Sequence, residues 1–441
     1  MLATALPLEF INSIKLDSPF GKLLLDALDT PSPTSIRLNP RKIVLTHLDL
    51  SSPVTWCEHG YYLNERPVFT LDPLYHAGVY YAQEAASMML TSLIKQLDLP
   101  ENAFVLDACA SPGGKTTAMV DGLSKHATVL ANEINRHRAN ILVENITKWG
   151  VDNVLVTNDS PEAFKELTAL FDVVLIDAPC SGEGMFRKDP NARTEWTPEA
   201  PGLCAKRQSL ILAELHNTIK PGGYLIYSTC TFNRLENEQQ MKAMLATGAF
   251  EQVQWNYPNQ CQTGRDGLGC YFLPGYTKSE GLYLCVLQKK GALEDYQFIN
   301  SNHDQIENVF GINLEENQCM IKEGDGLYVL TKNAKANIER IKTPLRYLKK
   351  GVKVAEQSPK GWMPNQELVI STSIDLPLPR IALTEREALQ YLRGETFLIP
   401  RDTPGFYCVT YQDIPVGLIK HLGNRFNNLY PKEWRIRMRL S

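Results

Sequence analysis

No uninterrupted apolar run of about 18 residues occurs anywhere in the chain, so no membrane-crossing helix is expected. The ten cysteines form no C-x-x-C pair and follow no regular spacing, which speaks against a zinc site and a disulfide framework. That usage fits a reducing compartment, and no metal is expected. Internal repeats and low-complexity tracts are also missing. The first residues, MLATALPLEFINSIKLDS, lack a basic stretch followed by an apolar core and a small-residue cleavage site, so a cytoplasmic protein is expected. What remains is ordinary globular material: 441 residues, 44% hydrophobic and 21% charged, enough for two to four domains with cores. The net charge of −4 conceals an asymmetry. Residues 331–441 hold 19 Lys and Arg against 10 Asp and Glu, a net of +9, which leaves −13 on residues 1–330. A basic tail on an acidic body points to a polyanionic partner held chiefly by the tail.

Short strands ended by proline (SIRLNP from Ser35, VFTLDP from Val68) and a helix-like stretch from Ile11 to Leu28 suggest a small N-terminal α/β region. A helix is expected to begin at Gly78, in GVYYAQEAASMMLTSLI. Strand-like runs then alternate with helical segments. The runs are Phe104 to Leu106, Thr128 to Ala131, Asn153 to Val156, Asp172 to Ile176 and Tyr224 to Tyr227; the helices include Asn135 to Trp149 and Cys204 to Ile219. Such alternation implies an α/β fold with a mostly parallel, doubly wound sheet, and residues 270–288 suggest an antiparallel hairpin at its edge. A polar linker is expected from Lys289 to Asp304, followed by a mixed α+β tail divided near Leu376. The expected parts are 1–77, 78–290, 291–375 and 376–441.

The first strand runs into Asp107-Ala-Cys-Ala-Ser-Pro-Gly-Gly-Lys-Thr116. Small residues and paired glycines let a ligand approach the backbone, and the following helix offers free N–H groups to an anion. Glu133 ends the second strand about twenty residues after the glycines, the place from which a carboxylate takes the ribose hydroxyls of an adenosine cofactor. Asp159, past the third strand, could accept from an adenine amino group. A P-loop is excluded, because its first glycine would fall on Cys109. Two further strands end in thiols: Asp177-Ala178-Pro179-Cys180 and Ser228-Thr229-Cys230. Neighbouring parallel strands open on one crevice, so both thiols and the Asp177 carboxylate are expected to meet there.

Together DACASPGGKTTAM, DAPCSGEGMFRKDP and YSTCTFNRLENE resemble the Nop/Sun family of RNA cytosine-C5 methyltransferases, over residues 78–288. The resemblance implies a Rossmann-like domain dependent on S-adenosyl-L-methionine. It implies Cys230 as nucleophile, Cys180 as the group that releases product, and Asp177 beside the base. Cofactor would be bound by the loop of Cys109, Ala110, Ser111, Pro112, Gly113, Gly114 and Lys115, with Glu133, Asp159 and Asp177. Pro274-Gly275 departs from the Pro-His often found in the family before the last hairpin. The final segment, GFYCVTYQDIPVGLIKHLGNRFNNLYPKEWRIRMRL, resembles the PUA-like RNA-binding ending of bacterial members that modify 16S ribosomal RNA. Lys332 to Lys353 carries eight basic residues and one acidic one, with Tyr347 among them, and suits phosphate contacts. The expected partner is RNA, 16S rRNA or the small ribosomal subunit ahead of transfer RNA; an RNA-binding assembly factor that kept only the fold is the competing reading. Tyr80, Tyr81, Phe186 and Trp196 are candidates for base stacking, although a single aromatic is more often a core residue.

Overall fold

A computed structural model describes residues 5–17, 20–42, 47–292, 309–375, 377–399 and 403–438. Most of the expected linker from Lys289 to Asp304, and the division at Leu376, lie outside the described residues.

The centre of the protein is a ten-stranded sheet. Its parallel part comprises β1 (Phe104–Asp107), β2 (Thr128–Asn132), β3 (Val154–Thr157), β4 (Phe171–Asp177) and β5 (Ile219–Thr229). Two antiparallel strands, β6 (Cys270–Phe272) and β7 (Leu282–Lys289), extend it beyond β5, as the hairpin expectation required. The order is β6-β7-β5-β4-β1-β2-β3-β8, where β8 is Tyr347–Lys350; Gln262–Thr263 pairs outside β6, and Phe250–Gln252 pairs separately with β7. The parallel strands are apolar without alternation because both faces are covered. Leu106, Leu130, Leu155, Val174 and Leu225 fill the core on one face, and Val105, Val129, Val156, Val173 and Ile226 fill the other. Helices α1 (Gly114–Gly122) and α2 (Arg136–Trp149) cover the second face; α3 (Ala200–Leu215) and α4 (Glu238–Ala246) cover the first. Asn135 caps α2 by accepting from the N–H groups of His137 and Arg138, and Gly150 ends it at φ +86°. The order reverses between β1 and β4, so their carboxyl ends open the crevice in which such sheets bind ligands.

The N-terminal part contributes helices Leu8–Asp17 and Gly21–Leu28 and a four-stranded sheet ending in Tyr80–Ala82. Two local expectations fail here. VFTLDP forms helical turns, because Asp72 accepts from the Leu74 N–H and Pro73 starts a short helix. No helix begins at Gly78, which turns the chain at φ +68°; Ile36 pairs with Ala82 instead, and the helix is confined to Met89–Ile94. This sheet is fastened to the central sheet by Arg37, which is 1% exposed. Its guanidinium pairs with Asp121, donates to Gln83 at 2.7 Å and lies 4.5 Å over the Trp149 ring. As a result Tyr81 and Gln83 are held at the mouth of the crevice.

Downstream lie two four-stranded sheets, one spanning Gln318 to Pro364 and one spanning Arg380 to Asn428. The basic run behaves differently from a free phosphate-binding tail. Lys332–Arg340 is a helix, and β8 pairs antiparallel with β3, becoming part of the central sheet. Lys349, Lys350 and Lys353 are already paired with Glu367, Glu323 and Glu356. Among the described residues no helix is long and apolar enough to cross a membrane, and no cluster of three or more metal-ligating side chains occurs.

Candidate active site

The register of two strands builds the site. Asp177 at the end of β4 faces Ser228 near the end of β5, so the residues that follow each strand must meet. Cys180 Sγ and Cys230 Sγ stand 3.3 Å apart. Asp177 Oδ1 accepts from Ser228 Oγ at 2.8 Å, and Oδ2 accepts from Lys115 Nζ at 2.8 Å. Two buried carboxylates hold the loops that carry the thiols. Glu236 accepts from the Ser181 N–H (2.9 Å), Gln208 Nε2 (2.8 Å) and Asn233 Nδ2 (2.7 Å). Glu183 accepts from the Phe232 N–H at 2.7 Å and Asn233 Nδ2 at 3.0 Å. The Gly184 N–H closes the arrangement by donating to the Cys230 carbonyl at 2.8 Å. A Cβ at Gly184 would stand 2.8 Å from that carbonyl oxygen, so only glycine permits the approach.

The two thiols are electrostatically unequal. The hydrogen bond from Cys180 lowers the pKa of Cys230; Lys115 adds to this against burial and the Asp177 charge. The same hydrogen bond, with burial, raises Cys180 well above an ordinary thiol. Burial alone would lower Lys115, but Asp177 holds it above its usual value and therefore charged. The thiolate is the reactive form, so its reactivity rises with pH through the thiol pKa, and a lowered pKa moves that rise to lower pH. Lys115→Met removes the cation and leaves Asp177 unopposed, and both changes act against the thiolate. The alkylation rate of Cys230, followed by mass spectrometry against pH, is expected to shift upward by roughly one pH unit. An unmoved profile would remove Lys115 from the electrostatic account.

Two clefts converge on this centre. One, of about 600 Å³, runs past Cys109, Asn132, Glu133, Ile134, Arg138 and Pro161 to Asp177, Cys180 and Cys230. The other, of about 400 Å³, runs from Tyr81, Gln83, Lys188 and Glu280 across Ser111, Gly114 and Lys115 to the same Cys230. Cys109, Asp177, Met185 and Cys230 line both. The larger cleft fits S-adenosyl-L-methionine. The N-terminus of α1, which Gly113 caps in a left-handed conformation (φ +106°) without a side-chain cap, opens on the adjoining smaller cleft through Gly114 and Lys115. Glu133 is 3% exposed, with one oxygen fixed by the Asn135 N–H at 2.8 Å. Ile134, Pro161, Leu210 and Ile211 give apolar walls.

The residues singled out from sequence are thus largely brought together: Cys109 to Lys115, Glu133, Asp177, Cys180 and Cys230 surround the two clefts. Asp159 stands apart. Its oxygens accept from the Arg346 N–H (2.9 Å) and Nε (3.2 Å), and it lines neither cleft. Of the four aromatics, Tyr81 lines the smaller cleft, while Tyr80, Phe186 and Trp196 are packed in cores. Sequence reasoning gave no role to Ser228, Glu183 or Glu236. The acidic run in NRLENE carried a signal for Glu236; a buried acid inside a turn has none beyond its oddity.

Fold and site together define a Rossmann-like methyltransferase. Residues 94–288 match the 16S rRNA methyltransferase RsmB/F family, residues 378–436 the RsmF PUA domain and residues 6–85 the N-terminal domain of 16S rRNA methyltransferase RsmF. The chain is 30% identical over 480 residues to the ribosomal RNA small subunit methyltransferase F of Pectobacterium atrosepticum, covering 97% of this chain and 96% of that protein. It is 31% identical over 448 residues to the protein of the same name from Escherichia coli O9:H4, with 93% and 91% covered. The chain belongs to the RsmB/F family of RNA methyltransferases. Among solved structures it resembles a methyltransferase homolog from Pyrococcus horikoshii (TM-score 0.53, 25% identity, 63% of this chain and 92% of that one). NSun6 of the same organism, crystallised with SFG, shares the fold (TM-score 0.57, 19% identity, 66% of this chain and all of the other).

Proposed function

We propose that this protein forms 5-methylcytosine in 16S ribosomal RNA, with Cys230 as nucleophile, Cys180 as the releasing group and S-adenosyl-L-methionine as methyl donor. The observation that carries the reading is the convergence of two clefts on the Cys230 thiol, with a second thiol 3.3 Å away whose hydrogen bond lowers the Cys230 pKa. C5 of cytosine is a weak nucleophile, and covalent addition is the means of activating it. Cys230 Sγ bonds to C6, the C5–C6 double bond opens, and C5 gains enamine character. The adduct takes up a proton at N3 from solvent, and Asp177, held by Lys115 and Ser228, would accept from that N3–H and steady the adduct. When bound where the two clefts meet, with Cys109 and Glu133 on the larger and Ser111, Gly114 and Lys115 on the smaller, the cofactor would supply a sulfonium-borne methyl group to C5. Release requires a water in the cleft to take the C5 proton while the double bond re-forms and Cys230 departs as a thiolate that Cys180 can protonate. Cys180, its pKa raised above that of Cys230, is protonated at neutral pH and beside the departing sulfur.

The target carbon is hidden in stacked RNA, so the cytosine must be unpaired or flipped into the smaller cleft, with Tyr81 at its wall. Recognition of RNA is assigned to the N-terminal part and to the PUA-like end. The division 1–77, 78–290, 291–375 and 376–441 belongs to the same proposal, with β8 lent by the third part to the sheet of the second.

The test uses small-subunit rRNA from cells lacking the gene, incubated with pure protein and tritiated S-adenosyl-L-methionine, then sequenced after bisulfite treatment. New 5-methylcytosine at defined positions is expected. Label entering transfer RNA instead would overturn the substrate, and no incorporation into either would favour the assembly-factor reading.

A further inference from the structure

Glu280 lies just before β7 and is 6% exposed. One of its oxygens accepts from Ser32 Oγ at 2.8 Å. The other, Oε2, is buried with no hydrogen-bond partner among the described residues. A buried carboxylate oxygen without a donor is costly and calls for a ligand that supplies one. Its neighbour Glu84 differs: the N–H groups of Ala86, Ser87 and Glu280 all donate to it, each at 3.0 Å. Glu84 is therefore spent on structure, whereas Glu280 keeps a free acceptor.

Glu280 lines the smaller cleft, on which Cys230, Asp177 and Lys115 also open, and borders a second pocket on its Ser32 side. Other polar groups of the smaller cleft's wall are already engaged. Tyr81 donates to the Pro112 carbonyl at 3.1 Å; Gln83 donates to the Gly114 carbonyl at 3.0 Å and accepts from Arg37 at 2.7 Å. The backbones of Glu280 and Cys230 also run close together. A Cβ on Gly184 would stand 2.8 Å from the Cys230 carbonyl oxygen and 3.1 Å from that of Glu280. Glu280 and Cys230 thus lie close together along the backbone and border one cleft.

We propose that Glu280 Oε2 accepts a hydrogen of the exocyclic amino group of the target base, making Glu280 a specificity-determining residue that favours cytosine over uracil. The proposal rests on the cytosine reading above. Uracil presents a carbonyl oxygen where cytosine presents the amino group, so two acceptors would face each other across the contact.

The test compares single-turnover covalent adduct formation on two RNA fragments. One carries the target cytosine; the other carries 2-pyrimidinone there, which lacks only the amino group. Glu280→Met, similar in size and without an acceptor, is expected to slow adduct formation on cytosine by about ten- to a hundredfold. On 2-pyrimidinone it should change the rate by no more than about twofold, since the contact is already absent. Comparing variant with wild type cancels the intrinsic reactivity of the two bases. Glu280→Gln retains a carbonyl acceptor and is expected to recover part of the cytosine rate, which also guards against misfolding of the Met variant. Equal slowing on both bases would overturn the proposal. Wild-type protein that forms no adduct with cytosine would overturn the cytosine reading itself, and is recognised without any variant.

Discussion

Cys230→Ser is expected to lower single-turnover methylation by about four orders of magnitude or more, the scale on which removal of a covalent nucleophile acts. The loss is electrostatic as much as chemical. The Cys180 hydrogen bond and the Lys115 cation stabilise a thiolate at Cys230; a serine hydroxyl in the same place stays protonated and cannot add to C6. The substitution exchanges sulfur for oxygen in a loop fixed by the Gly184 N–H on the residue 230 carbonyl, so folding and cofactor binding should survive. Tritium incorporation under single-turnover conditions, beside calorimetric titration of S-adenosyl-L-methionine, separates the two. Activity within tenfold of wild type would end the case for Cys230 as nucleophile.

The second large effect is expected at Cys180 and has a different form. Cys180→Ser should still permit addition, because a hydroxyl 3.3 Å away can also donate to Cys230. What it should lose is release. Multiple turnover is expected to fall by about a hundredfold or more, the usual scale for a lost general acid or base. The enzyme should accumulate as a covalent RNA complex that survives denaturing electrophoresis. Cys180→Ala removes the donor as well, so addition should slow along with release. Finding no trapped complex with the Ser variant would remove the release role from Cys180 and leave it a hydrogen-bond donor only.

How far the sequence went in showing this site depended on whether backbone order or side-chain surroundings decided the question. The apolar runs before Asp107, Asp177 and Ser228 marked strand ends, and strand ends in a doubly wound sheet share a crevice, so the loop from Cys109, Glu133 and the two thiols could be placed together. The inequality of the thiols could not be read, since it arises from a 3.3 Å contact between residues fifty positions apart. Glu183 and Glu236 were opaque for a related reason: acidic residues in turns usually face solvent, and only the folded loops show them buried and saturated with donors. Gly78 shows the limit for local structure. The stretch after it has helical spacing, yet Tyr80 to Ala82 are claimed by pairing with Ile36 to Leu38, a tertiary contact that overrides local propensity. Asp159 shows the reverse. Its position along the chain suggested a cofactor contact, while its nearest donor, Arg346, comes from 187 residues away.

That last contact bears on how the protein can be dissected. A parallel sheet ending at β3 would present a row of unpaired N–H and carbonyl groups, the kind of edge that recruits other chains and aggregates. Here β8 closes it, with Lys350 opposite Leu155 and Tyr347 opposite Thr157, and the Asn158 N–H binds the Arg346 carbonyl at 3.1 Å. A fragment cut at residue 290 would keep both thiols and the cofactor loop while exposing that edge. Poor solubility of such a fragment would reflect a missing strand rather than a missing RNA-binding surface, and supplying residues 309–375 as a separate chain should restore it.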